Sequence, residues 1–184
     1  MTSAKRDEPG RWRTFGERTI YQDPWIWHGE VDVEAPGGER YWRHVVRLHR
    51  VALIVLLDDH DQVLMLWRHR FVPDLWGWEL PGGLVDSEEL PLDAAVRELE
   101  ETGYCAGHVE RLVTFRPMPG IVDAEHFVFV GTNLERVGDP TNLSELARLE
   151  WVPLESVPGL IDAADIWDAG TLLALSQVLM KNRG

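Results

Sequence analysis

The sequence predicts an α/β fold, in which one domain holds a mixed β-sheet with helices packed against it. The run VALIVLL at 51–57 is continuously apolar, which is typical of a central strand buried on both faces. The segment 18–33 is rich in aromatic and β-branched residues, which favour strands. Two later segments, 91–102 and 168–181, have the residues that begin and end helices.

The N-terminal part of the chain, over 11–50, is predicted to form strands. Residues 18–33 are two short strands broken at Asp23-Pro24, because proline removes a ladder donor. The glycine-rich segment 35–40 is a turn, and 41–48 returns as a strand. The polar residues 1–10 are expected to be a disordered tail.

The remaining elements follow from apolar runs separated by turn residues. The strand 63–71 is expected to be the hairpin partner of 51–57, after the turn DDHDQ. Pro91 suits a helix start, Gly103 a helix end, and Asp168 the N-cap of the last helix. Further strands are predicted at 76–83, 109–115, 126–133 and 149–154.

Composition excludes several classes of protein. The formal charge is −13, whereas nucleic-acid binders need a basic footprint, so no nucleic-acid partner is expected. No apolar run reaches the roughly 20 residues of a membrane span. The single cysteine fits a reducing compartment, which indicates a cytoplasmic protein. An acidic protein that binds phosphates would need metal ions or local arginines.

The helix 91–102 carries the most informative pattern. Its apolar residues Leu92, Ala95, Val96 and Leu99 fall on one arc, which is expected to face the core. Glu98 and Glu101 fall together on the other side, three residues apart, so their carboxylates are neighbours. Two adjacent carboxylates after a glycine turn, ELPGG, suit a hard cation such as Mg²⁺.

The segment GLVDSEELPLDAAVRELEETGY at 83–104 resembles the Nudix box, G-x5-E-x7-R-E-U-x-E-E-x-G-U, where U is a bulky apolar residue. Gly83, Glu89, Arg97, Glu98 and Leu99 match at the family spacing, and EETGY matches the end of the pattern. The one residue that should separate Leu99 from the Glu-Glu pair is absent. The resemblance implies a single Nudix domain over 1–184, folded as an α/β/α sandwich with a mixed sheet.

The missing residue leaves two registers for the metal ligands that the resemblance implies. In the first, Glu98 and Glu101 are ligands and Thr102 takes the third position. In the second, Glu100 and Glu101 are the ligands, Arg97 replaces the first one, and Glu98 turns toward the core. We favour the first register, because burying an unpaired carboxylate costs several kcal/mol.

Residues outside the box resemble the ADP-ribose pyrophosphatase branch of the family. LWRHRF followed by WGWELPGG is similar to a segment of that branch in which an arginine precedes WELPAG. The resemblance implies that Arg70 and Glu79 bind substrate, since a guanidinium suits a phosphate or ribose. It also implies that the carbonyl of Gly82 contacts a metal ion.

The loop TFRPMPGIVDAEHFVF is similar to the loop that carries a catalytic glutamate in the same branch. The usual Asp-Glu pair is Asp123-Ala124 here, and Glu125 comes one position late. The catalytic base is therefore Asp123 or Glu125, with Glu125 favoured. Arg116 is a further candidate for phosphate contact, and Glu145 for a weaker metal or water contact.

The resemblance implies a hydrolase dependent on Mg²⁺ (or Mn²⁺) that cleaves ADP-ribose, or a related nucleoside diphosphate sugar, to AMP and ribose 5-phosphate in the former case. Its partner is then a small nucleotide, and it forms a homodimer through the N-terminal strands. The short box leaves two alternatives. One is a weakly active or inactive Nudix domain that binds a nucleotide as a sensor, and the other is an enzyme for another nucleoside diphosphate-linked substrate.

Overall fold

The structure, a computed structural model, describes residues 10–141 and 148–181. These residues form two compact units. One unit holds the described residues up to Leu48 together with Met118–Ala124. The other holds the residues from His49 to Pro117 and those described from Glu125 onward. The candidate Glu145 lies outside the described residues, as does most of the predicted tail.

The first unit is a four-stranded sheet with the order β1-β2-β3-β9. Its strands are β1 (Arg13–Gln22), β2 (Ile26–Glu34), β3 (Arg40–Leu48) and β9 (Val122–Asp123). The predicted break at Asp23 is confirmed, because its carboxylate accepts hydrogen bonds from the backbone N–H of Trp25 and Ile26, at 2.7 and 2.8 Å. This carboxylate fixes the turn between β1 and β2.

The centre of the second unit is a mixed sheet with the order β7-β4-β10-β8. Its strands are β4 (Arg50–Leu56), β7 (Gly82–Val85), β8 (Tyr104–Phe115) and β10 (His126–Arg136). Strand β4 is parallel to β10, whereas β7 and β8 pair antiparallel with β4 and β10. The apolar run at 51–57 is thus the predicted central strand, with a neighbour on each side.

Successive residues of β4 supply cores on opposite faces of this sheet. Ile54 packs in one cluster with Leu99 of helix α1 (Pro91–Glu101), and Val55 packs in another with Leu175 of helix α3 (Ala169–Lys181). The α/β/α sandwich is therefore confirmed. Leu92 is 42% exposed, so its predicted core position was wrong, and Ala94 is buried on α1 instead.

The strand after β4 joins a different sheet from the one predicted. Strand β5 (Gln62–Arg70) pairs with β11 (Arg148–Pro153) and β6 (Leu75–Glu79). Among the described residues no ladder pairs it with β4, and a single bridge joins Val63 to Leu57, just after β4, so the predicted hairpin was wrong. In the intervening turn the Asp58 carboxylate accepts from the N–H of Gln62, and beyond it β5 takes its partners from β11 and β6.

Helix α3 begins as predicted and supports the turn between β6 and β7. The Asp168 carboxylate accepts from the N–H groups of Gly170 and Thr171 at 2.9 and 2.8 Å, which confirms it as the N-cap. The buried Thr171 hydroxyl accepts from the N–H of Leu80 at 3.1 Å. This contact anchors the turn that leads to Gly82. A short helix α2 (Val157–Asp162) precedes α3.

No helix in the described part of the chain has the length and apolar character needed to cross a membrane.

Candidate active site

The Glu98 carboxylate lies directly over the glycine turn. A Cβ built at Gly83 would strike its oxygen Oε1 and would lie 2.7 Å from its carboxyl carbon Cδ. The Glu98 side chain is 15% exposed, and Arg97 Nη1 donates to Oε1 at 2.7 Å. Leu99 is 1% exposed and remains in the core. The Glu98 carboxylate therefore lies at Gly83 and does not turn toward the core as the second register requires, whereas the ligand assignment of the first register stays a prediction.

Arg97 links strand β7 to the acidic residues of helix α1 through hydrogen bonds and ion pairs. Its Nη2 donates to the carbonyl of Leu84 at 3.0 Å, and its Nε donates to Glu89 Oε1 at 3.3 Å. Its Nη1 also lies 3.6 Å from Glu101 Oε1, one turn along the helix. This guanidinium lowers the pKa of Glu89, and it offsets part of the repulsion between Glu98 and Glu101.

The electrostatic surroundings of Glu98 disfavour its charged form in the absence of a cation. Burial raises the pKa of the Glu98 carboxyl, and the neighbouring Glu101 raises it further. The guanidinium groups of Arg97 and Arg68 oppose this shift without cancelling it. A positive ion between the two glutamates would remove the repulsion.

The end of the short helix differs from expectation at Thr102. This residue is buried, and its hydroxyl donates to the carbonyl of Leu99 at 2.6 Å, so it points back to the helix and does not stand as a third ligand beside Glu101. Gly103 follows with a φ of 84°, which favours glycine. The carbonyl of Glu101 accepts from the N–H of Thr141 at 3.0 Å, which closes the helix end.

The donor set suits a divalent cation held by two carboxylates. Among residues 10–141 and 148–181, no three His, Cys, Asp or Glu side chains are grouped to hold a metal ion. Glu98 and Glu101 remain as adjacent carboxylates, and hard cations prefer such oxygen ligands. Glu100 is exposed. The residues therefore fit a cation, with one carboxylate fewer than the full family pattern supplies.

Two glycines, Gly82 and Gly83, begin strand β7, and each has a steric reason. A Cβ at Gly82 would lie 2.7 Å from the carbonyl oxygen of Ala52, so glycine allows β7 to pair closely with β4. A Cβ at Gly83 would occupy the space of the Glu98 carboxylate. The absence of side chains at Gly82 and Gly83 thus leaves the space that the site needs.

Arg70 and Glu79, both predicted to bind substrate, bind each other. Arg70 Nε donates to Glu79 Oε1 at 2.9 Å, and Arg70 Nη2 donates to Oε2 at 2.6 Å. Glu79 is 6% exposed, whereas the Arg70 side chain is 45% exposed. The carboxylate therefore orients a guanidinium that solvent or a ligand can still reach.

Arg68 is a residue of this cluster that the sequence analysis did not include. Its Nε lies 3.9 Å from Glu79 Oε2, and its charge opposes the rise in the pKa of Glu98 that burial causes. Arg68 therefore connects the pair Arg70–Glu79 with the acidic helix. The period-two alternation of β5 could have identified it, because Arg68 and Arg70 lie on the same face of that strand.

The two candidates for the catalytic base lie in different compact units. Glu125 directly precedes β10 in the second unit, where its carbonyl accepts from the N–H of Val51, and Arg116 Nη2 donates to its carboxylate at 3.1 Å. Asp123 lies in the first unit, in register with Arg47 of β3. Asp123 and Glu125 therefore have separate arginine neighbours.

Changing Gly83 to Ala is expected to lower activity by roughly 10- to 100-fold, because the new methyl group displaces the Glu98 carboxylate and misplacement by about 1 Å can cost that much. Stability should change little, because only the end of a flexible side chain must move. Steady-state kinetics and thermal unfolding test both expectations. Gly159→Ala is the control, since nothing lies within 4 Å of its added Cβ. Equal activity in the two variants would contradict this placement of Glu98.

The chain is similar to proteins of one known family. The family model of the NUDIX domain matches residues 47–175. A CMP-5'-(N-acetyl-N-hydroxy-3-aminopropyl)phosphonate hydrolase of Streptomyces rubellomurinus is 42% identical, over 92% of this chain and 82% of that protein. An ADP-ribose pyrophosphatase of Bacillus subtilis is 28% identical, over 92% of this chain and 96% of that protein.

Solved structures include the same fold. The crystal structure of an ADP compounds hydrolase superposes with a TM-score of 0.82 at 21% identity, over 97% of this chain and 99% of that one. Fold and site together define an α/β/α enzyme whose carboxylate pair suits a divalent cation. The chain belongs to the Nudix family and is a Nudix pyrophosphohydrolase. Nudix hydrolases generally use divalent metal ions.

Proposed function

We propose that this enzyme hydrolyses the diphosphate of ADP-ribose, or of a related nucleoside diphosphate sugar, with Mg²⁺ or Mn²⁺ as cofactor. The observation that carries the proposal is the position of the Glu98 carboxylate over Gly83, within the electrostatic influence of Arg68. Arg68 in turn lies beside the pair Arg70–Glu79. Candidate cation ligands and candidate phosphate-binding arginines are thus neighbours.

Local positive charge is required because both protein and substrate are acidic. The chain has a net charge of −13, and a diphosphate adds two further negative charges. Arg68, Arg70 and Arg97 gather around Glu79 and Glu98 in the described structure. Arg70 is the most exposed of the three to solvent, so we assign it to contact with a phosphate or with the terminal ribose.

The reaction adds one water to the P–O–P linkage. The water oxygen bonds to one phosphorus, the bridging oxygen leaves with the other, and ADP-ribose gives AMP and ribose 5-phosphate. When bound, a divalent cation polarises a phosphoryl oxygen and makes phosphorus easier to attack. In this proposal Glu98 and Glu101 hold the cation, with the Gly82 carbonyl as a further contact. Glu125 orients the attacking water and accepts its proton.

A second substrate is favoured by one comparison. The relative that is 42% identical is a hydrolase of a CMP-linked phosphonate. In such a compound the phosphate of CMP is joined to a phosphonate, so the bond to be broken is again P–O–P. Both substrates contain a nucleoside monophosphate, and they differ in the group joined to it.

A substrate panel followed by ³¹P NMR tests the proposal. ADP-ribose, other nucleoside diphosphate sugars and a CMP-linked phosphonate are incubated with the full chain and Mg²⁺, with and without excess EDTA. The expected result is a pair of monoester or phosphonate products, and EDTA should abolish their formation. Reaction in H₂¹⁸O then shows which phosphorus receives the oxygen. Tight nucleotide binding without turnover of any substrate would contradict the proposal and would favour the sensor.

We expect Glu125→Gln to lower kcat by roughly 10²- to 10⁴-fold with little change in substrate affinity, as for loss of a general base. Asp123→Asn is the matched comparison, and it should retain most of the activity. Single-turnover kinetics and equilibrium binding of the nucleotide product separate the two effects. A large loss in Asp123→Asn, with none in Glu125→Gln, would assign the base to Asp123.

We also propose that the chain forms a homodimer through its N-terminal strands. Every residue of β1 is exposed in the isolated chain, including the large apolar residues Phe15, Ile20 and Tyr21. Apolar patches of this kind mark interfaces in soluble proteins. Sedimentation velocity should find a dimer, and Ile20→Glu should shift it toward monomer. A wild-type monomer throughout the micromolar range would contradict this.

We assign the enzyme to the cytoplasm. The support is its single cysteine, which fits a reducing compartment. Cell fractionation with an antibody tests this assignment, and recovery outside the cytoplasmic fraction would contradict it.

A further inference from the structure

The segment that precedes helix α3 lies along an edge of the sheet β11-β5-β6. Strand β6 is the outer strand in this order, and its Trp78 N–H donates to the carbonyl of Asp165 at 2.8 Å. Two residues later, the indole Nε1 of Trp167 donates to the carbonyl of Trp76 at 3.0 Å. Backbone and side-chain contacts thus fix Trp167 against β6.

The Trp167 indole occupies the space that a side chain at Gly77 of β6 would fill. A Cβ built at Gly77 would strike Nε1 of this ring and would lie 2.9 Å from its Cδ1. Gly77 is the register partner of Arg68 and lies two residues before Glu79. Glycine at this position therefore admits the indole onto the hairpin, next to residues of the candidate active site.

The alternation of side chains decides which face of the hairpin the indole covers. Residues two apart on a strand share a face, so position 77 shares the face of Glu79 and of Arg68, its cross-strand partner. The Trp76 ring belongs to the opposite face, where it stacks on Trp67 with ring centroids 6.3 Å apart. Trp167 is therefore an aromatic ring on the face that carries the arginine–glutamate cluster.

We propose that Trp167 is a substrate-binding residue that stacks on the nucleobase of the nucleoside monophosphate half of the substrate. This inference rests on the proposed function and extends it to a subsite. The ring is only partly exposed, and its hydrogen bond to Trp76 holds it in place, so ordering it on binding costs little entropy. Stacking tolerates different bases, because every base has a π face. Such a subsite suits a cytidine or an adenosine nucleotide equally.

The test compares the binding of CMP, AMP and ribose 5-phosphate to the full chain by isothermal titration calorimetry. Trp167→Leu is expected to lower the affinity for CMP and for AMP by roughly 5- to 100-fold, which is the range for loss of one base–aromatic stack. Ribose 5-phosphate, which has no base, should bind as it does to the wild type. Trp167→Phe keeps an aromatic ring and should recover most of the affinity, so it reports on stacking even if the leucine variant is unstable.

The matched control is Trp76→Leu, which removes a tryptophan from the opposite face of the same strand. It should leave the affinities for CMP and AMP unchanged. Unchanged nucleotide affinity in Trp167→Leu would overturn the proposal, as would an equal loss for ribose 5-phosphate, or wild-type binding that does not depend on the base. The assay needs no turnover. Failure of the substrate panel with base-dependent binding retained would thus reject the proposed function and leave the subsite standing.

Discussion

Replacing Glu98 by Gln is expected to lower kcat on the order of 10²- to 10³-fold, the range for removing a preorganised group that stabilises transition-state charge. The reason is that Glu98 is the more buried of the two carboxylates assigned to the cation, and it lies over Gly83. Glu101→Gln should lower kcat similarly. Steady-state kinetics at saturating substrate and Mg²⁺ measures both losses. Near wild-type activity in both variants would reject the carboxylate pair as the cation site.

The same variant should retain its fold and gain a small amount of stability without metal. Burial and Glu101 raise the pKa of Glu98 in the folded state, so folding favours its protonated form. Its contribution to the free energy of unfolding is then favourable at low pH. That contribution falls as pH rises from the ordinary pKa through the raised one. Glu98→Gln removes this fall, and denaturant unfolding with EDTA at several pH values detects it.

Two other acidic residues of α1 serve as controls. Asp93 is exposed in the first turn, and Asp93→Asn should keep full activity. Glu100→Gln distinguishes the two registers, because Glu100 is a ligand only in the second. We expect a mild effect, since Glu100 is exposed. A loss in Glu100→Gln as large as that in Glu98→Gln would indicate the second register.

The second large effect is expected from restoring the missing residue. Inserting one Glu between Leu99 and Glu100 rebuilds the spacing E-x-x-E-E, with carboxylates at i, i+3 and i+4. An added carboxylate attracts the cation more strongly, so the Mg²⁺ concentration for half-maximal activity should fall by roughly tenfold or more, as expected when a charge is added a few ångströms away at the protein surface. Turnover should rise as well. A Mg²⁺ and Mn²⁺ titration of activity measures the change.

A second variant separates chain length from charge. The insertion combined with Glu101→Gln keeps the longer helix but removes the carboxylate at i+4, and it should return the Mg²⁺ requirement toward the wild-type value. Thr102→Glu should restore cation binding less well than the insertion does, because Thr102 is buried and a carboxylate there would be desolvated. If the insertion abolishes activity, the short helix is the working geometry and the register assignment is wrong.

Local signals predicted the elements that frame the site. The apolar run of β4, the N-cap Asp168 and the helix end at Gly103 each depend on neighbours close in sequence. The helical spacing of apolar residues in α1 also predicted correctly that Leu99 is in the core. Such patterns are sufficient to predict these elements, because each depends on only a few consecutive residues.

The features that the sequence did not predict depend on strand pairing or on competition from backbone groups. The partners of β5 are β11 and β6, and no local pattern distinguishes them from β4. The bond between Arg70 and Glu79 could not be predicted either, because it appears only once the hairpin register is known. The Thr102 hydroxyl was assigned beside Glu101, whereas the backbone carbonyl of Leu99 is the nearer acceptor. Tertiary pairing and competition from the backbone explain these differences.

The central claim is that Glu98 and Glu101 together hold the cation, and Mn²⁺ binding tests it most directly. Metal-free wild-type protein, Glu98→Gln, Glu101→Gln and the Asp93→Asn control are titrated with Mn²⁺, and free ion is measured by electron paramagnetic resonance. We predict that the wild type and the control bind Mn²⁺ alike, and that each glutamine variant binds it at least roughly 10-fold more weakly, as for mutations around other metal sites. Equal Mn²⁺ affinity in all four proteins would contradict the claim.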